Sequence, residues 1–98
     1  MRHASANPST AQTNAVLIAL VAGKQVKANF IYISSDTATA VSLVDSVTHS
    51  VLWKQYVAAN GGSVVHGREL FKTIKGEGVD LTTADASNVF VKVGYEMV

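Results

Sequence analysis

The chain is 98 residues long, enough for one domain, and folding hides roughly 60–65% of the surface of a chain this size. Hydrophobic residues make up 48% of it and charged residues only 15%, so part of the apolar surface is expected to lie against sister subunits or a large partner. A formal net charge of +1 with scattered Lys and Arg excludes a nucleic-acid footprint, the lack of cysteine excludes a disulfide or thiolate–metal framework, and the longest apolar run, 15–22, is about half a bilayer span, so a soluble protein without a membrane segment is expected.

In chain order, residues 1–13 are mostly Ala, Ser, Thr and Asn with the single proline, Pro8. Nothing there anchors a core, so an extended N-terminal arm is expected, with a single β-sandwich domain over 14–98. The apolar run from Ala15 to Val21 is too short and uncapped for a helix and reads as a buried strand. A Gly23 turn follows, then a second strand over 25–33, with Val26, Ala28, Phe30 and Tyr32 on one face and Ile31 and Ile33 on the other. A third strand is predicted over 39–44, with Val41 and Leu43 on one side. A fourth runs over 49–58, with Val51, Trp53 and Val57 facing away from Leu52, Lys54 and Tyr56. Asn60-Gly61-Gly62 predicts a type I′ hairpin turn. A short strand over 63–66 broken by Gly67, a strand over 69–75 that sets Leu70 and Ile74 against Phe71 and Thr73, and a strand over 79–82 follow. The chain closes on a strand over 88–98, where Val89, Val91, Val93, Tyr95 and Met97 alternate with Lys92, Gly94 and Glu96. About eight short strands at intervals of roughly ten residues predict an all-β fold, a jelly-roll or Greek-key β-sandwich.

Catalytic constellations are lacking. His3, His49 and His66 form no His-x-His pair, so no metal site is expected. No serine sits in a Gly-x-Ser-x-Gly elbow, and most carboxylates stand in or beside predicted turns, where Asp caps its own backbone. No enzyme activity and no cofactor is expected. The aromatic residues are more informative. Trp53 and Tyr56 fall on opposite faces of one strand, and Phe71 and Phe90 sit opposite their strands' aliphatic neighbours. Exposed aromatics serve subunit contact or sugar stacking, and the low charge content favours contact.

Val21-Ala22-Gly23-Lys24, Ala58-Ala59-Asn60-Gly61-Gly62, Gly76-Glu77-Gly78-Val79-Asp80-Leu81 and Val91-Lys92-Val93-Gly94-Tyr95 occur in that order. This series resembles a family of small β-sandwich proteins encoded among the structural genes of tailed bacteriophages. The resemblance covers about residues 15–98 and rests on turn and core residues. Two departures stand out: Gly78-Val79 follows Glu77 where the family usually has Ala-Leu, and Val65-His66-Gly67-Arg68 replaces a Pro-x-x-Pro-like loop. The resemblance implies a capsid decoration (cement) protein on the virion surface, a homo-oligomer (a trimer) that bridges subunits of the major capsid protein. Candidate subunit or capsid contacts are Asn7 and Pro8 in the arm, with Trp53, Tyr56, Phe71 and Phe90. The alternative is a lectin-like virion-surface module that holds glycans on Trp53 or Tyr56.

Overall fold

The computed structural model describes residues 2–84 and 88–98; Met1 and the expected lead-in at Asp85, Ala86 and Ser87 lie outside the described residues. Eight strands and no helix are found among the described residues: β1 (Arg2–Ala6), β2 (Gln12–Ile18), β3 (Val26–Ser35), β4 (Thr39–Asp45), β5 (Val51–Val57), β6 (Gly61–Lys72), β7 (Val79–Thr83) and β8 (Val89–Met97). They make two four-stranded sheets, here called A and B, in the orders β1-β8-β3-β6 and β2-β7-β4-β5, with antiparallel pairing throughout. The all-β sandwich expectation holds.

The strand count agrees, but two differences cancel within it. Part of the expected arm is strand: Arg2–Ala6 pairs in register with β8 of its own chain, from Arg2↔Tyr95 to Ala6↔Val91. Conversely, the two short strands expected on either side of Gly67 are one, β6. Gly67 relaxes the ladder there without ending it.

The core lies between the sheets. Val26, Ala28, Ile31, Ile33, Val89, Val91 and Val93 line it from sheet A, and Ile18, Val41, Leu43, Val57, Val79 and Leu81 line it from sheet B. Tyr95 and Met97 pack against it from the end of β8, so the apolar side of the last strand faces inward as its period of two predicts.

Elsewhere the faces follow β-bulges, since one extra residue in a strand reverses every later side chain. In β3 the extra residue is Asn29, between the pairs Ala28↔Tyr95 and Phe30↔Gly94. Val26 and Ala28 therefore point into the core while Phe30 and Tyr32 point out, and Ile31 and Ile33 take the inner positions. The expected grouping of all four on one face is corrected accordingly. In β5 the extra residue is Leu52, between Leu43↔Trp53 and Val44↔Val51, which turns Val51 outward and leaves it exposed.

One turn expectation and one burial expectation are also corrected. The Asn60-Gly61 turn is closed by Gly61 N–H donating to the Ala58 carbonyl at 2.9 Å, with Asn60 left-handed at φ 55° and Gly61 at no positive φ. A type I′ turn needs positive φ at both central residues, and this one instead carries the chain from sheet B to sheet A. The run 15–21 is not wholly buried: Val16, Leu20 and Val21 are exposed, and only Ile18 is in the core.

Candidate functional site

Sheet A carries on its outer face the residues that alternate with the core. Phe90 and Lys92 of β8 lie beside Ser34 and Tyr32 of β3, and Tyr32 and Phe30 lie beside Val64 and His66 of β6. The Tyr32 and Phe90 rings meet edge to face at 5.8 Å between centroids, and His3 of β1 meets Phe30 at 6.5 Å in the same geometry. Such T-shaped contacts are favourable and fix ring orientation. The result is an aromatic strip crossing all four strands, with Val64 exposed beside it. Beyond Phe30 the strip runs into a cleft of about 520 Å³ lined by Lys27, Asn29, His66, Gly67, Arg68 and Glu96. The bulge makes this cleft. Between Phe30↔His66 and Ala28↔Phe71, β3 holds only Asn29 while β6 holds Gly67, Arg68, Glu69 and Leu70, so β6 bows away from its neighbour.

The expected contact residues fall in three settings. Phe90 and Tyr56 are on open surface: Phe90 on the strip, and Tyr56 76% exposed on sheet B, with the Lys54 ammonium 5.2 Å from its ring centre. Asn7 is exposed and Pro8 half-buried in the crossing from β1 to β2, where the Pro8 carbonyl accepts from Val89 N–H at 3.1 Å. Phe71 and Trp53 turn inward. Phe71 is 8% exposed within the core, opposite Ala28, so its placement as a surface contact is corrected. Phe71 and Thr73 share the inner face and Ile74 is exposed, the expected grouping with its aromatic side turned inward. Trp53 packs half-buried against the core, and its indole N–H donates to Gln55 Oε1 at 3.3 Å. Gln55 in turn donates to Ser63 Oγ, which ties the edge of sheet B to that of sheet A.

The acids cluster at one end of the sandwich. Asp45 ends β4 and caps the following turn, its Oδ1 accepting from Val47 N–H at 2.8 Å and Thr48 N–H at 3.0 Å. Burial pushes the Asp45 carboxyl up, but hydrogen bonds from Glu77, Thr48 and Val47 outweigh this and hold it below its ordinary value of 3.8. Glu77 is raised above its ordinary 4.5 by its hydrogen bond to Asp45, then by burial and by the Asp45 charge. The opposite directions favour a proton on Glu77 over one on Asp45. The Asp45 contribution to stability is present above its unfolded value and lost as pH falls through its lower folded value. The Glu77 contribution is present below its unfolded value and lost as pH rises through its higher folded value. The pair stabilises most near pH 4, between the two unfolded values of 3.8 and 4.5. Glu77→Gln replaces that proton with a permanent amide donor. Thermal midpoints from about pH 4 to pH 7 should then fall less steeply than in the parent chain; parallel profiles would show that Glu77 holds no such proton.

Asp80 is what the turn-capping rule missed among the acids. It sits mid-strand in β7 rather than in a turn, 5% exposed, with Oδ1 unpartnered among the described residues. The available signal was a single acid flanked by Val79 and Leu81 in the middle of a strand. No family model matches the chain, and comparisons with curated proteins and with solved structures likewise find no match.

Proposed function

We propose that the chain is a non-enzymatic structural protein that works by assembly, a capsid decoration protein that binds the outer shell and bridges major capsid subunits as a trimer. The observation that carries this reading is the amount of apolar side chain the folded monomer leaves uncovered. Phe90, Val64, Val16, Leu20, Val51, Tyr56 and Ile74 are all exposed, in a domain with too few charges to keep so much apolar surface soluble by itself. The aromatic strip of sheet A supplies the ordered part of that surface, and aromatic residues are the side chains enriched at subunit contacts. The strand orders β1-β8-β3-β6 and β2-β7-β4-β5 support a jelly-roll reading of the sandwich, an architecture that viral capsid domains use.

The test is the particle mass in solution together with sedimentation alongside undecorated capsids. A stable trimer that pellets with the shells is expected. Phe90→Ser should lower assembly or shell binding while leaving the monomer's folding stability within about 1 kcal/mol of the parent, since the site is only partly covered. A monomer at all concentrations that ignores shells, or equal losses of assembly and folding, would overturn the reading. The lectin-like alternative now rests on Tyr56, because Trp53 faces inward; saturable sugar binding by a monomer would favour it.

A further inference from the structure

The Asp80 side chain lies on the outer face of sheet B, directly between Val16 of β2 and Val44 of β4. Its flanks are apolar and it is almost wholly buried, yet Oδ1 has no hydrogen-bond partner among the described residues. It lines a cavity of about 280 Å³ whose other walls are Val16, Ile18, Ala19, Leu20 and Ser46. Val16 and Leu20 are exposed and form its rim, Val16 at 73%. A carboxylate buried without a partner is costly, and proteins retain one where a cation completes it or a proton neutralises it. Burial does push the Asp80 carboxyl above its ordinary value; His49 pulls it down and Asp45 pushes it up further. The charged groups around it are thus mainly acidic, Asp45 with its partner Glu77 against the single imidazole of His49. Ser46 Oγ accepts from Gly78 N–H at 2.8 Å and is not a partner of Asp80 Oδ1.

We propose that this pocket receives the basic side chain of a partner protein, a lysine whose alkyl stem lies along Val16, Ile18 and Leu20 and whose ammonium pairs with Asp80. An apolar pocket with one carboxylate in its wall is complementary to a compact cation on an aliphatic stem. A bare metal ion would want several oxygen ligands, and among the described residues no three His, Asp or Glu side chains gather to hold one. The proposal rests on Asp80 and its pocket alone and stands whether or not the partner is a capsid subunit.

The experiment follows backbone amide chemical shifts of the intact chain during titration with n-butylammonium, n-butanol and calcium chloride in turn. Saturable shifts of Asp80, Val16 and Leu20 with butylammonium are expected, with butanol at least about tenfold weaker, as fits loss of a charge-assisted bond. Asp80→Asn keeps the shape and should remove the preference for butylammonium over butanol while raising the thermal midpoint. Val16→Ser, at an exposed site, should weaken butylammonium severalfold through the lost stem contact and leave the fold intact. Equal shifts with butanol would show an apolar cavity only, and shifts with calcium alone a metal site. Either result, or no shift at these residues in the wild-type chain, overturns the proposal.

Discussion

Val91→Asp is expected to leave the chain unfolded at room temperature. Val91 is 0% exposed, on the central strand β8, directly between Ala6 of β1 and Ile33 of β3. Its side chain belongs to the apolar core cluster between the sheets. Burying an unpaired charge costs several kcal/mol even after the group protonates, whereas a domain of this size has about 5–15 kcal/mol of stability in all. Val91→Ala, which removes methyl groups without adding charge, should cost roughly 2 kcal/mol and remain folded. Far-ultraviolet circular dichroism and amide shift dispersion would separate the two variants. A folded Val91→Asp would mean that this face of β8 is not in the core.

Gly78→Ala is the second large effect, and it comes from backbone rather than side chains. A methyl group on Gly78 would stand 2.3 Å from the Ile18 carbonyl oxygen, 2.8 Å from Leu20 N and 3.1 Å from the Ala19 carbonyl carbon. None of these atoms can rotate away. On its other side Gly78 is clamped to the end of β4, its N–H donating to Ser46 Oγ at 2.8 Å and its carbonyl accepting from Ser46 N–H at 3.1 Å. The residue therefore cannot retreat without breaking two hydrogen bonds, and a loss of about 3 kcal/mol is expected, on the order of 15 °C in midpoint for a domain of this length. Gly23→Ala is the control. Gly23 has φ 74° but open space around its Cα, so only left-handed strain of about 1 kcal/mol applies. Equal losses at both glycines would refute the close-approach account.

Alternation was reliable where the ladder is unbroken. The apolar sides of β8 and β4 read directly from the sequence because neither strand holds an inserted residue between its core positions. It failed at Asn29 and at Leu52, where one strand carries one residue more than its neighbour. Nothing in Ala28-Asn29-Phe30 marks Asn29 as the extra residue, since the choice depends on which partner strand it faces, and that is a tertiary fact. Of the contact residues, Phe90 is on the surface as its alternation indicates, while Phe71 is buried because the aromatic side of its strand, not the side of Leu70 and Ile74, faces inward. The pairing of β1 with β8 was hidden for a similar reason. Arg2-His3-Ala4-Ser5-Ala6 has little strand propensity, and it is a strand because β8 presents it with an edge. Asp80 escaped notice because a lone acid in a strand can equally be a surface residue; only the covering segment 18–20 and Ser46 make it buried.

The position of β8 within sheet A also bears on how the protein folds. β8 is hydrogen-bonded on one side to β1 and on the other to β3, joining Arg2 to Tyr95 and Val26 to Met97. Until β8 has been synthesised, β1 has no neighbour and β3 has only β6. Loops of this length are slow to close, and folds dominated by such non-local pairing take milliseconds to seconds rather than microseconds. Without β8, the edge of β3 opposite β6 is left unpaired from Val26 to Ser35. β8 thus completes sheet A, and while it is unpaired the edge of β3 is the place most open to pairing with a wrong strand.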